Sequence, residues 1–171
     1  HFIDYFDQTK ILREYITDQE LYDKIIKRYE NRKNNEKLFF MGITMQNHGG
    51  YTETYDNFPE NYYKVGRSYT DANQYLSLVH ESDEAVKNLI SYFSKVDDPV
   101  EIIFFGDHQP SLNSNFYPIL NGKGLTGLTE DELEKLYTVP FFIWTNYDTP
   151  EETVDITSLD YLSTMALERA G

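Results

Sequence analysis

The sequence contains no cysteine, and it has only one tryptophan and six prolines in 171 residues. The missing thiol excludes disulfide bonds, thiolate metal sites and cysteine-based redox chemistry. No apolar run reaches the roughly 20 residues that a membrane-spanning helix needs. Basic residues are also scarce, since 15 Lys and Arg stand against 29 Asp and Glu and give a formal net charge of −14. That balance repels nucleic acid and anionic membrane surfaces.

Apolar material for a core is nevertheless plentiful. The chain has 15 Tyr and 11 Phe, and aromatic residues make up 16% of it, which argues against disorder. Its length suits one α/β domain or part of a larger one. The sequence starts at His1 with neither an initiator Met nor a signal peptide, so we expect a piece of a longer protein. An anionic substrate would need a local cation, either a metal ion or an arginine.

Local signals predict alternating helices and strands, which is typical of an α/β fold. Thr17 and Glu20 form a capping-box pattern ahead of a run with helical spacing. A longer helical run begins at Asp71 and places Asp83 on its apolar stripe, where a carboxylate needs a hydrogen-bond partner. Residues 52–70 predict a long surface loop. The predicted helices are 18–32, 71–93, 129–136 and 157–170, and the predicted strands are 38–45, 100–105 and 139–145.

The strand 100–105 ends in a pattern that is typical of a ligand site. The run is apolar, and it changes without transition to Gly106, Asp107 and His108. We expect Gly106 to allow a sharp turn, after which the next two side chains stand at the carboxyl end of the strand, where open α/β sheets bind ligands. A carboxylate beside an imidazole can bind a divalent metal ion. On these residues alone, Asp107 could equally cap a turn and His108 could equally pack.

A second polar segment follows the predicted strand 38–45. It reads Gln-Asn-His-Gly-Gly-Tyr over residues 46–51. The two strands and the helix between them predict a βαβ unit, whose strands run parallel. The carboxyl ends of parallel strands lie at the same edge of a sheet, so we expect His48 to share an edge with Asp107 and His108. This convergence favours a functional site over unrelated packing.

The chemistry of these side chains suits a phosphate or sulfate ester. Asp107 would be an ionised oxygen ligand and His108 a neutral nitrogen ligand, while His48 would be a third ligand or a donor to a substrate oxygen. A divalent ion held there acts as a Lewis acid on a phosphoryl or sulfuryl oxygen. Two certain ligands are too few for a complete site, and no nucleophile flanked by a base is evident in the sequence.

Two segments carry a resemblance to a known family. Phe-Met-Gly-Ile-Thr-Met-Gln-Asn-His-Gly-Gly-Tyr over residues 40–51 and Ile-Ile-Phe-Phe-Gly-Asp-His over residues 102–108 together resemble sulfatase-like enzymes of the alkaline phosphatase superfamily. Within that superfamily they are most similar to the branch of lipoteichoic acid synthases and phosphoglycerol transferases. The resemblance runs over nearly the whole chain, from about residue 17 to its end.

The resemblance implies roles for particular residues. Asp107 and His108 would bind a catalytic divalent metal ion, usually manganese in this branch, with magnesium, calcium and zinc as alternatives. His48 would contact the substrate phosphate, with Asn47 beside it as a second substrate-binding residue. Many relatives continue with Gly or Tyr after the histidine of the second motif, whereas this chain continues with Gln109. That difference leaves the choice of substrate open.

The resemblance also implies a fold and a setting. Residues 1–171 would form a single α/β unit with a mostly parallel sheet and helices on both faces, the C-terminal portion of a larger catalytic domain. A threonine nucleophile and a further acidic ligand would come from the preceding half, so we expect the isolated chain to be inactive. The longer protein would lie in the cell membrane with its catalytic domain outside, acting on a phosphate-containing lipid or polymer. The alternative is a non-catalytic α/β module that binds a cell-wall polymer or a partner.

Overall fold

The computed structural model describes residues 5–58 and 69–171, and the predicted surface loop 52–70 therefore lies largely outside the described residues. The predicted α/β class is confirmed. In chain order the elements are β1 (Ile11–Leu12), β2 (Tyr15–Ile16), α1 (Asp18–Glu30), α2 (Thr70–Phe93), β3 (Glu101–Phe105), α3 (Tyr117–Asn121), a 3-10 turn (Leu125–Gly127), α4 (Glu130–Glu134), a second 3-10 turn (Lys135–Tyr137), β4 (Phe141–Thr145) and α5 (Leu159–Ala170).

Each strand ladder in the described residues is an antiparallel pair. The short β1–β2 hairpin precedes α1, and β3 pairs with β4 farther along the chain. The register of the second pair sets Phe104 opposite Phe142, and their rings stack with centroids 5.3 Å apart. This cross-strand aromatic pair stabilises the two strands on the face that carries the core.

The main core lies between that face and the two long helices. Leu89 and Phe93 of α2 are buried there against Tyr22 of α1. The side chain of Asn146 fixes the start of β3, because its oxygen accepts a hydrogen bond from the backbone N–H of Val100 at 2.7 Å and its nitrogen donates to carbonyls at and beyond the end of α2. The partly buried side chains that complete this core include Ile102, Phe104, Phe142 and Trp144.

The prediction of a buried strand over 38–45 is wrong for the described residues. The segment has no assigned strand, and the expected parallel pairing with 100–105 is not among the described ladders. Its inner side packs on α1, where Gly42 lies against Leu21 and Ile25. The outer side has no cover, and it exposes the large side chains of Phe39 (90%), Met41 (75%) and Ile43 (75%). An alternating apolar run forms a ladder only where a neighbouring strand satisfies its backbone groups.

Two local expectations about the helices are corrected. Thr17 caps α1 as predicted, but Glu20 does not complete the capping box, because its carboxylate accepts a hydrogen bond from the backbone N–H of Asp7 at 3.0 Å. Asp83 is exposed, because the neighbouring Ser82 takes the buried position at this turn of α2. At the start of α4, Thr129 and Glu132 do form a capping box, with both of its hydrogen bonds.

Gly106 is required at the end of β3 for a reason other than the predicted turn. Its backbone stays outside the left-handed region. A Cβ atom at this position would instead stand 3.0 Å from the Cβ of Val139, which enters β4. The close approach lets the backbone N–H of Gly106 donate to the carbonyl of Pro140 at 3.1 Å. The glycine therefore holds the two strand ends together just before Asp107.

Candidate functional site

His48 is exposed on the loop of residues 46–51, which leads away from the extended segment and is buried at both of its ends. The imidazole Nδ1 lies 3.0 Å from the hydroxyl of Tyr15 in β2, and the two ring centroids are 5.5 Å apart. Gly50 adopts φ +94, a conformation that favours glycine, so the loop can turn back toward the helices after His48. The ring nitrogen that does not face Tyr15 remains available to a ligand.

The main chain of this loop wraps around the guanidinium of Arg13, which is only 4% exposed. The guanidinium donates to the carbonyls of Gln46 at 2.9 Å and His48 at 2.7 Å, and to the side-chain oxygen of Gln74 at 3.1 Å. Its partners in the described residues are carbonyl and amide oxygens, with no carboxylate among them. Three rings also lie within 6 Å of it, those of Tyr15, Tyr51 and Tyr55.

Asn47 belongs to a buried polar network between the loop and both long helices. Its amide nitrogen donates to the hydroxyl of Ser82 in α2 at 2.9 Å, and that hydroxyl donates to the carboxylate of Asp18 at 2.6 Å. Gln46 is also buried, bonding the backbone N–H of Asp18 and the Ser82 hydroxyl. Burial raises the pKa of Asp18, while the bond from Ser82 opposes the rise. The network holds the loop against the helices.

Asp107 and His108 stand at the exit of β3, as predicted, and both side chains are solvent-facing, 86% and 74% exposed. The His108 Nε2 and the Asp107 Oδ2 lie 3.5 Å apart. The other ring nitrogen, Nδ1, lies 2.9 Å from the carbonyl of Gln109. Since a carbonyl only accepts hydrogen bonds, Nδ1 carries a proton, and in the neutral ring Nε2 then presents its lone pair on the side of the carboxylate.

This pair fits one divalent cation. Ligand bonds of about 2.1 Å from an imidazole nitrogen and a carboxylate oxygen to the same ion are compatible with a 3.5 Å separation of the two atoms. The carbonyl of Gln109 is the kind of second partner that fixes the tautomer of a metal-bound histidine. The side chain of Gln109 in turn donates to the carbonyl of Thr138, which anchors the loop beside β4. Within residues 5–58 and 69–171, no group of three or more potential ligands assembles around the pair.

The loop 46–51 and the segment that carries Asp107 and His108 both pack against a second apolar cluster. In the described residues, no hydrogen bond or ion pair joins His48 directly to Asp107 or His108. The cluster is centred on Tyr51, Phe58 and Leu78. Leu112, from the segment that follows His108, packs against it. Asp71, at the start of α2, also accepts a hydrogen bond from the backbone N–H of Asn113. Both motif-bearing segments therefore contact the N-terminal half of α2.

Electrostatics also connects the loops. The pKa of Tyr51 is raised to about 12, mainly by burial and further by the nearby Tyr75, while the charge of Arg13 lowers this pKa. The carboxylate of Asp107 is among the charges that raise this pKa. The hydroxyl of Tyr51 donates to the carbonyl of Asn47 at 2.7 Å. Asp107 therefore acts within electrostatic reach of the loop that carries His48.

Sequence reasoning missed the β1–β2 hairpin and both of its contacts with His48. Arg13 and Tyr15 lie 35 and 33 positions before His48 in the chain, and they carry no motif. A buried guanidinium is recognisable only from tertiary structure. The hairpin itself is short and has an arginine, with φ 55, where a turn would favour glycine.

Comparisons with known proteins identify the family of this chain. The sulfatase family model matches residues 2–171. A protein of Rhizobium meliloti (strain 1021), provisionally named for cyclic beta-1,2-glucan modification, is 27% identical over 92% of this chain and 25% of its own length. The capsular polysaccharide biosynthesis protein RkpI of the same organism is 33% identical over 58% of this chain and 17% of its own length.

A solved structure has the same fold. The phosphoglycerol transferase GacH of Streptococcus pyogenes, in complex with sn-glycerol-1-phosphate, superposes with a TM-score of 0.65 at 20% identity, covering 93% of this chain and 39% of GacH. The likeness confirms an alkaline-phosphatase-like α/β fold. The chain spans between about a sixth and two fifths of the lengths of these relatives. Because the family model covers nearly every residue, the chain belongs to the sulfatase family.

Proposed function

We propose that this chain is the C-terminal portion of a metal-dependent catalytic domain that transfers or hydrolyses phosphate or sulfate esters during the synthesis of cell-envelope polymers. The observation that carries the proposal is the pairing of the Asp107 carboxylate with Nε2 of His108, 3.5 Å apart and open to solvent, while Nδ1 of the same ring faces the carbonyl of Gln109. The fold of a phosphoglycerol transferase and a relative named for capsular polysaccharide synthesis support the proposed substrate class.

Asp107 and His108 would hold the metal ion, for which manganese is the expected species. When bound, the ion would supply a positive charge for the negative oxygens of the ester. Gln109 would keep the His108 ring in the binding tautomer, through its carbonyl. A local cation would also offset the net charge of −14, which otherwise repels an anionic substrate.

His48 would bind the substrate phosphate or sulfate. With Nδ1 directed at Tyr15, the Nε2–H of a neutral ring can donate to an ester oxygen. Asn47 would contribute to substrate binding chiefly through the loop that it anchors, because its amide nitrogen is already bonded to Ser82. Gly49 and Gly50 leave space on this loop for an approaching ligand, since no atom lies within 4 Å of a Cβ built on either.

The nucleophile, expected to be a threonine, and a further acidic ligand would come from another part of the longer protein. The isolated chain would therefore bind metal weakly and would not turn over an ester. No helix in the described residues is both long enough and apolar enough to span a membrane. We propose that the longer protein is anchored in the cell membrane by other segments, with the catalytic domain on the outside and a phosphate-containing lipid or polymer as its substrate.

The test compares the full-length protein with its Asp107→Ala variant and with an Asp97→Ala control, an exposed carboxylate far from the motif. Calorimetry with Mn²⁺ and release of glycerol phosphate from a phosphoglycerol-bearing lipid are measured for each. Loss of both signals in Asp107→Ala alone supports the proposal. If wild type has neither signal yet binds a cell-wall polymer with an affinity that Asp107→Ala retains, the chain is a non-catalytic binding module.

A further inference from the structure

We propose that the β1–β2 hairpin, residues 11–16, is a positioning element for His48, in which Tyr15 orients the imidazole and Arg13 holds the main chain. This inference rests on the proposed role of His48 in binding an ester oxygen. The hairpin touches the loop 46–51 in two ways, through the ring of His48 and through the carbonyls of the loop backbone.

Tyr15 controls which ring nitrogen of His48 faces a ligand. The hydroxyl lies 3.0 Å from Nδ1. When the hydroxyl donates this hydrogen bond, Nδ1 is unprotonated and the proton of the neutral ring resides on Nε2. The tilted contact of the two rings, at 55° between their planes, also limits rotation of the imidazole. The result is an N–H donor with a fixed direction, which suits an ester oxygen better than a ring that samples both tautomers.

Arg13 controls where the loop runs. One of its terminal nitrogens, Nη2, donates to the carbonyls of both Gln46 and His48, and the other, Nη1, reaches Gln74 in α2 and, more weakly, the carbonyl of Gly50 at 3.5 Å. A planar guanidinium can bridge several carbonyls at fixed angles, whereas an ammonium cannot. The carbonyl of His48 and the side chain of His48 are therefore both held by the same hairpin.

The surroundings of Arg13 favour this role over a plain stabilising ion pair. The side chain is 4% exposed, and its partners in the described residues are neutral oxygens and tyrosine rings. A buried cation without a carboxylate is costly unless its hydrogen bonds are met. Both terminal nitrogens of Arg13 have partners, most of them in the loop, although Nε has none in the described residues, so the loop and the guanidinium constrain each other. The positive φ of Arg13 adds backbone strain that glycine would relieve, yet the position carries arginine.

The decisive variant is Tyr15→Phe, which keeps the ring and removes only the hydroxyl. Long-range ¹H–¹⁵N NMR of His48 in the 171-residue chain reports which ring nitrogen is protonated. We expect Nδ1 to be unprotonated in wild type and the two nitrogens to become averaged in Tyr15→Phe. Tyr161→Phe, a distant exposed tyrosine of α5, should leave the His48 spectrum unchanged. Identical His48 spectra in wild type and Tyr15→Phe would overturn the assignment.

A second measurement uses the full-length protein and the release of glycerol phosphate. We expect Tyr15→Phe to lower kcat/KM by about tenfold, the effect of losing one well-placed hydrogen bond, while Mn²⁺ affinity stays at the wild-type value. Arg13→Lys should shift the backbone amide signals of residues 46–50, and Arg13→Met should shift them further, because lysine retains the charge. Unchanged amide signals in both Arg13 variants would also overturn the assignment.

The two measurements separate this inference from the proposed function. If the NMR changes occur but the wild-type protein releases no glycerol phosphate, the hairpin positions His48 and the proposed activity is wrong. If wild type is active and Tyr15→Phe retains full kcat/KM, with an unaltered His48 tautomer, the activity stands and the hairpin is not a positioning element.

Discussion

Asp18 is a carboxylate buried between α1, the loop 46–51 and α2, with 3% of its surface exposed. It stands at the first position of α1, where the helix dipole favours its negative charge, and it accepts a hydrogen bond from Ser82. Burial nevertheless dominates and raises its pKa above the ordinary value of 3.8. One of its two oxygens, Oδ1, is buried without a hydrogen-bond partner in the described residues. The polar network of Asn47, Ser82 and Asp18 therefore includes a buried carboxylate whose desolvation lowers the stability of the fold.

This leads to a prediction about pH and stability. Because the folded chain binds the Asp18 proton more tightly than the unfolded chain, the contribution of this group to stability is complete below a pH of about 3.8 and is lost as the pH rises through the raised pKa of the folded state. We expect Asp18→Asn to lack this loss, so that the free energy of unfolding of the variant improves relative to wild type as the pH rises above about 3.8.

Urea denaturation at several pH values checks this expectation. Asp97→Asn, which removes an exposed carboxylate, is the control and should follow the pH dependence of wild type. If Asp18→Asn and wild type lose stability in parallel as the pH rises, the buried carboxylate does not contribute in the proposed way.

At the scale of elements, the ends of β3 and β4 are held by the close approach of Gly106 and Val139. We predict that Gly106→Ala costs about 1–3 kcal/mol of stability, because the added Cβ would stand 3.0 Å from the Cβ of Val139. Gly124→Ala is the matched control, since no atom lies within 4 Å of its added Cβ. Chemical denaturation measures both variants.

A double-mutant cycle with Val139→Gly, which removes the Cβ atom nearest to the added one, tests the cause of that loss. If the clash is with Val139, the double variant should be more stable than the sum of the two single effects predicts. Strict additivity would show that Gly106 matters for another reason.

Helices and strands can be predicted from the sequence where the signals for them come from residues close together in the chain. The helical periodicity of residues 71–93 and the capping threonines Thr17 and Thr129 identify their helices, because each depends on contacts within a few residues. The extended segment 38–45 was misjudged, since an apolar run becomes a strand only beside a partner that the sequence pattern does not reveal. Asp107 and His108 are predicted from a motif, whereas Arg13 and Tyr15 contact His48 across more than 30 positions and carry no local signal.

At the scale of the whole molecule, the uncovered side of residues 38–45 is the most unusual surface. Phe39, Met41 and Ile43 form an exposed apolar row, and exposed rows of this kind are typical of interfaces. The chain spans 39% of GacH, and under the proposed function the rest of the catalytic domain would cover this row. Under the proposed function, this row is therefore the surface on which the rest of the catalytic domain packs.

We predict that Phe39→Ser changes the stability of the 171-residue chain by no more than about 0.5 kcal/mol, because the side chain is 90% exposed. In the full-length protein the same change should cost about 3 kcal/mol or more, as for a buried phenylalanine. Thermal or urea unfolding of both lengths gives the comparison. Tyr137→Ser, which alters a residue that is 84% exposed and outside the row, should have a small effect in both. Equally small effects of Phe39→Ser in the two proteins would mean that the row is not covered by the rest of the domain.

The central claim is that the loop carrying His48 and the Asp107–His108 pair serve one metal-centred site. Paramagnetic broadening by Mn²⁺ in NMR spectra of the ¹⁵N-labelled chain tests it most directly, with enough salt to screen the acidic surface. We predict that signals of residues 107–109 and of residues 47–49 broaden at the same Mn²⁺ concentration, and that Asp107→Asn abolishes both effects. Broadening that leaves residues 47–49 untouched, or that persists in Asp107→Asn, would contradict the claim.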